Sequence, residues 1–404
     1  MPSTRSRHLD RHAAESVHEA SRASPRQSVS AGVLALVLLV GCAARPAKES
    51  RDDRALRNPA PRIACVFEPT GPVAALDRAA LKGAMLAREE AGQVAWGLDV
   101  VSVAGAAEAA RTSIAGIGCC DSDELRAGYE PFASAAAPFV VVGATDPCLA
   151  RLPGGDRLSF ACYSDAAQGA AMAEFAHEAL DARKVAILFE ATGDFPIAVS
   201  QAFAARARSL EGMQSTSHAF ADPSKIDVAS VLSTNPDAVY VACLPASVPP
   251  AIAALRSAGF RGAILGADSF DLPDVAAWTK DAAVRFTTHA WFGAGARPSA
   301  ARFAERYRAR YGDEPTAFAA LGYDAMQAVV RALESLPPER RTREGVAAAL
   351  RALAPHAGVT GEIAFPSAGH FGAKPVWIVK AEGGGLELER EIAPSRVPEP
   401  NCAR

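Results

Sequence analysis

From residue 62 onward, short apolar runs rich in β-branched residues alternate with alanine-rich stretches whose apolar positions recur every three to four residues. The first pattern is that of strands buried on both faces, and the second is that of helices laying one face on a sheet. Their alternation predicts parallel strands joined by crossover helices. In the first half, strands are expected at 63–67, 98–103, 114–118 and 139–142, with a helix over 78–91 after the turn Glu68-Pro69-Thr70-Gly71-Pro72. A second series follows, with strands at 184–189, 238–242 and 263–266 separated by helices at 169–180, 197–210 and 249–257. Helices return over 299–311, 317–335 and 343–353, and strands at 361–365 and 376–380 flank the turn residues Gly369 and Gly372. The prolines beyond Glu391 predict a loose tail, 391–404. The pattern describes two similar α/β halves, and 404 residues are more than one hydrophobic core serves.

Ahead of residue 60 the pattern changes from fold to address. Arg22 and Arg26 precede an apolar stretch, 29–40, that is too short to span a bilayer and ends in Leu39-Val40-Gly41-Cys42. That ending resembles a bacterial lipobox, which makes 1–41 a signal peptide, Cys42 the lipidated first residue and 42–61 a polar tether; ordinary cleavage nearby is the alternative. Export places the other seven of the 8 cysteines in an oxidising compartment. Cys148 and Cys162 flank a loop with Pro153-Gly154-Gly155 and suit a hairpin staple, while a link from Cys119 or Cys120 to Cys148 is the other arrangement.

Charge and motif content narrow the function classes. Lys and Arg number 42 against 45 Asp and Glu, so nothing favours nucleic acid or another polyanion as a partner. No apolar run after residue 60 reaches the ~20 residues of a membrane span. The sequence carries no GxSxG, HExxH or Walker A motif and no zinc-ligand spacing, and Gly116-Ile117-Gly118 lacks the third glycine of a dinucleotide fingerprint. Neither an enzyme, a cofactor nor a metal site is expected.

The order of several short motifs resembles the type I periplasmic binding proteins, specifically the leucine/isoleucine/valine-binding receptors of ABC transporters. The motifs are Thr70-Gly71-Pro72-Val73-Ala74, Lys82-Gly83-Ala84, Gly143-Ala144-Thr145-Asp146-Pro147, Tyr163-Ser164-Asp165, Tyr323-Asp324-Ala325 and Gly358-Val359-Thr360-Gly361. The resemblance covers about 62–388. It implies two Rossmann-like lobes with parallel sheets joined by a three-crossing hinge, near 162–165, 288–290 and 365–366. One lobe is then 62–163 plus 290–365, and the other is 164–289 plus 366–390. It also implies a small-molecule ligand, amino-acid-like, passed to an ABC permease. The same fold resembles outer-membrane lipoproteins that activate cell-wall synthesis through protein contacts, and ligand sensors.

Ligands of open α/β sheets sit beyond the carboxyl ends of the strands. By motif position Ser122 matches the family serine that donates to a ligand carboxylate from a helix start, with an N-cap as its plainer role, and Thr145 with the backbone of Gly143 matches the second donor pair. Asp268 stands where the family places the acid that receives an ammonium. Phe195, or its neighbour Asp194, and Leu244 fall where the family has lining residues, and Leu76 replaces an aromatic. Trp291, just past the second hinge, is an aromatic candidate for the cleft.

Overall fold

The computed structural model describes residues 60–91, 96–279, 283–366, 369, 371–372 and 374–402. The expected signal segment, the lipidation site Cys42 and nearly all of the tether fall outside these residues. No helix among them is long and apolar enough to cross a membrane.

Strands β1 (Arg62–Val66), β2 (Gly97–Val101), β3 (Ser113–Gly118), β4 (Phe139–Val141) and β5 (Leu158–Phe160) form a five-stranded parallel sheet in the order β2-β1-β3-β4-β5. Ile63, Ala64, Cys65 and Val66 are all fully buried, the signature of a strand covered on both faces. The connections are helices α1 (Ala74–Glu90), α2 (Ala106–Thr112), α3 (Ser122–Gly128) and α4 (Glu130–Ser134).

The second sheet is built from β6 (Lys184–Glu190), β7 (Gln214–Phe220), β8 (Ala238–Ala242), β9 (Ala263–Gly266) and β10 (Val284–Thr288), all parallel. Its helices are α5 (Asp165–Ala179), α6 (Asp194–Ala207), α7 (Val228–Leu232), α8 (Val248–Ser257) and α9 (Val275–Trp278). The chain then returns to the first lobe as α10 (Pro298–Tyr311), α11 (Ala317–Glu334), α12 (Arg343–Ala352) and the small pair β11 (His356–Ala357) and β12 (Glu362–Ile363). It ends in the second lobe with antiparallel β13 (Val376–Glu382) and β14 (Gly385–Ile392), giving the order β14-β13-β10-β9-β8-β6-β7.

Helices α1 and α11 cross so closely that two glycines are needed. A Cβ on Gly83 would lie 1.8 Å from the Ala319 carbonyl oxygen, and one on Gly322 would lie 2.0 Å from that of Ala80. The two notches face each other, and backbone oxygens cannot move aside as a side chain would.

Three crossings join the lobes, and buried polar groups pin them together. Tyr163 on the first crossing stacks on His289 of the second, ring centroids 3.6 Å apart. On the third, Lys374 donates to the Ala161 carbonyl and to the Thr360 hydroxyl, and Phe371 stacks on Phe160 at 3.9 Å. Burial pushes the Lys374 ammonium down to about 8.

The disulfide differs from both expected pairings. Cys148 bonds to Cys402, whereas Cys65, Cys119, Cys120, Cys162 and Cys243 are free and buried. Cys162 turns into the hinge, where its Sγ lies 3.5 Å from the Ala144 carbonyl oxygen. The segment 393–402 is therefore held at two points: Ser395 receives and makes hydrogen bonds with the buried ion pair of Glu174 and Arg206, and Cys402 is fastened to the first lobe.

Candidate functional site

The loops at the carboxyl ends of both sheets face each other across one narrow cleft of about 250 Å³. From the first lobe come Val73, Leu76, Cys120, Asp121, Gly143 and Phe318; from the second come Phe195, Leu244, Pro245, Asp268 and Ser269. The walls nearly touch, leaving space for about one water molecule. Larger grooves lie along α6 and the C-terminal segment, reaching Asp146 and Cys148 (about 1020 Å³), at the amino ends of β9 and β10 (about 1520 Å³), and at the rim between Arg126, Asp146 and Asp194 (about 920 Å³). None of these is lined by Asp268 or Gly143.

Asp268 is 2% exposed, and its environment is constructed around it. Its Oδ2 lies 3.0 Å from Nε2 of His289, its backbone amide donates to Gln168 Oε1 at 3.2 Å, and Gln168 in turn accepts from Thr287 and donates to Asp165. Burial holds His289 below the usual histidine range, outweighing the pull of Asp268, so Nε2–H of a neutral ring is the donor. Asp165, buried beneath, is pushed well up by desolvation and by Asp268 and Asp146, against the opposing bonds of Thr145 and Gln168. Asp271 is raised to about 6 by burial and joins the lobes by accepting from Thr288 and from the first amide of α11, at Ala317.

On the other wall, Asp121 is the N-cap of α3, accepting from the amides of Asp123 at 2.9 Å and Glu124 at 3.2 Å. Desolvation, with Asp123 beside it, raises its carboxyl to about 6. Ser122 is thus the first residue of the helix rather than its cap. Its hydroxyl accepts from the Asp146 amide at 3.2 Å, stapling two loops, and it is not in the cleft wall. Thr145 also lies behind the wall, its carbonyl accepting from Asp165 at 2.8 Å.

Of the residues singled out in the sequence, the structure brings Gly143, Phe195, Leu244, Asp268 and Leu76 together on the cleft. Asp194 points to Arg126 at the rim, with Oδ2 at 2.9 Å from Nε and 2.7 Å from Nη2. Trp291, just past the second crossing, packs back onto the core of the second lobe and donates to the Ala294 carbonyl, so it takes no part in the lining. Missed were Phe318, which supplies the aromatic absent at Leu76, and His289. Phe318 was hidden among the buried positions of a helix whose polar residues Gln327, Arg331 and Glu334 share one face; His289 stood in the expected hinge but carried no motif.

Two lobes, three crossings and a cleft between strand ends are the architecture of a two-lobed binding protein. The chain belongs to the periplasmic binding protein family, whose model matches residues 61–385. Among solved structures, the leucine binding protein of Thermotoga maritima is 28% identical, with a TM-score of 0.74 over 83% of this chain and 99% of its own. A branched-chain amino acid transporter substrate binding protein of Streptococcus pneumoniae, solved with isoleucine, is 24% identical, with a TM-score of 0.73 over 83% and 100%. A solute binding protein of an ABC transporter from R. palustris, solved with benzoate, shares the fold at 18% identity and a TM-score of 0.73 over 85% and 99%. No functionally curated protein is similar enough in sequence to match the chain.

Proposed function

We propose that the chain is an exported, lipid-anchored receptor of an ABC importer that captures an amino acid or similar small polar molecule by closing its lobes. The lobes are taken as 62–163 plus 290–365 and 164–289 plus 366–390, with Cys42 as the anchor. Gly143, Phe195, Leu244 and Asp268 are assigned to ligand contact, and Ser122 and Thr145 to holding the loops that carry it. One observation carries this reading: Asp268 of one lobe and Asp121 and Gly143 of the other wall the same cavity. A ligand touching both walls stabilises the closed state by its differential affinity for it. Micromolar affinity needs about -8 kcal/mol, which a charge-assisted hydrogen bond or two and a small apolar contact supply.

The narrowness of the cleft favours a second reading, that of an outer-membrane lipoprotein acting through protein contacts on cell-wall synthesis. Thermal-shift screening of the detergent-solubilised full chain against amino acids, amines and small acids separates the two. A ligand at 100 times its Kd stabilises by ~2.7 kcal/mol. Stabilisation by any of them supports the receptor, and silence across the screen supports the second reading.

A further inference from the structure

We propose that the cleft selects a small monocationic amine with a compact apolar body, and that a carboxylate on the ligand contributes nothing to its capture. The proposal rests on the reading that the cleft takes a small molecule, and it names the class of that molecule.

The lining holds two carboxylates, Asp121 and Asp268, on opposite walls, and none of its described residues is Lys, Arg or His. The partner of Asp268, His289, occupies only Oδ2. Beside it Ser269, 2% exposed, has an Oγ without a hydrogen-bond partner among the described residues. Buried polar atoms are rarely left so, and a hydroxyl next to a carboxylate suits a donor-rich guest. An ammonium brings three N–H donors, and Asp121, Asp268 and Ser269 bring acceptors. The remaining wall, chiefly Val73, Leu76, Phe195, Leu244 and Phe318, is apolar.

A ligand carboxylate would need donors, and apart from the Ser269 hydroxyl those that can be traced on the wall are committed within the protein. The α3 amides that would receive an anion are capped by Asp121 itself. The Gly143 amide donates to the Cys119 carbonyl at 3.1 Å, the Leu244 amide to Glu190 Oε2 at 2.9 Å, and the Asp268 amide to Gln168. Ser122, the donor expected from the sequence, is fully buried behind the wall, where its hydroxyl accepts from the Asp146 amide. An anion entering here meets two like charges and no free amide at these positions, whereas a cation is attracted to both walls and lowers their mutual repulsion as they close.

The test compares leucine with isopentylamine, which is leucine without its carboxylate, and isocaproate, which is leucine without its ammonium. Titration calorimetry on the full chain is expected to show isopentylamine binding within about threefold of leucine or more tightly, and no binding of isocaproate. Asp268→Asn is expected to weaken isopentylamine about 10- to 100-fold. Should that variant misfold, Asp121→Asn, which retains a capping side chain, is expected to weaken it in the same direction. Leucine binding more than about tenfold tighter than isopentylamine, or isocaproate binding at all, overturns the proposal while leaving a receptor in place. No binding of any of the three also overturns it. The receptor reading falls as well only if a broader solute screen is silent.

Discussion

His289 Nε2 stands 3.0 Å from Asp268 Oδ2, so a hinge residue holds the carboxylate that faces the cleft. Both groups are buried, and the imidazole is clamped by its stack on Tyr163 and an edge contact with Phe318. Cleft wall, first crossing, second crossing and α11 thus meet at one ring. Rotation of the lobes about the crossings would disturb this contact, and under the proposed function it would couple ligand occupancy to hinge geometry.

Replacing His289 by Phe keeps the stack and removes the donor, leaving the Asp268 oxygen buried without its partner. The variant is expected to lose about 1–3 kcal/mol in a denaturant melt. His289→Gln, whose amide restores an N–H donor, is expected to recover part of that loss. Equal stability of the Phe variant and the wild type would show that the bond carries no net weight.

Asp165 sets a pH signature. Its folded carboxyl titrates well above the ordinary 3.8, so the unfolded chain releases a proton that the native state keeps. The stability from this site is complete below 3.8 and is lost as pH rises from there through the folded value. Asp165→Asn has no proton to lose and still offers Gln168 an acceptor. The melting temperature of the variant minus that of the wild type is expected to grow from about pH 4 to about pH 8; a constant difference would contradict the assignment.

At the rim, Arg126 of α3 reaches Asp194 of α6, and the Asp194 amide donates to Asp123 Oδ2 at 3.1 Å. This bridge joins the lobes outside the cleft. Arg126 is 43% exposed, so its contribution is at most about 1 kcal/mol. Arg126→Ala is expected to raise the ligand Kd by up to about fivefold and to reduce the salt dependence of the dissociation rate. Tighter binding by the variant would show that the bridge opposes closure.

Gly322→Ala places a methyl against a backbone oxygen 2.0 Å away, in the tight crossing of α1 and α11. A loss of about 2–3 kcal/mol in a thermal or denaturant melt is expected. A neutral substitution would mean that the helices separate at no cost.

The sequence was most informative where one physical cause acts alone. The strands 238–242 and 263–266 are buried on both faces and coincide with their apolar runs. The edge strand β2 was expected, but the edge strands β7 and β14 and the inner β10 were not: β7 reads Gln214-Ser215-Thr216-Ser217 at its start and is largely exposed, and β14 alternates charged residues in water. Such segments become strands by pairing with a neighbour, which no local pattern records. At the site, Asp268 and Gly143 were legible through motif position, because strand ends fix where loops emerge. Ser122 and Thr145 match ligand donors by motif position, whereas the structure sets both behind the cleft wall, the Ser122 hydroxyl accepting from the Asp146 amide and the Thr145 carbonyl from the Asp165 amide. The Cys148–Cys402 pairing joins residues 254 apart in sequence, and spacing alone favoured nearer partners.

The central claim is that a guest held by Asp268 draws the two lobes together. Small-angle X-ray scattering on the wild type and on Asp268→Asn, each titrated with leucine and with isopentylamine, tests it directly. The radius of gyration of the wild type is expected to fall at saturation, and that of the variant is expected to stay constant at the same concentrations. Equal contraction of both proteins, or none in a wild type shown by calorimetry to be saturated, would contradict it.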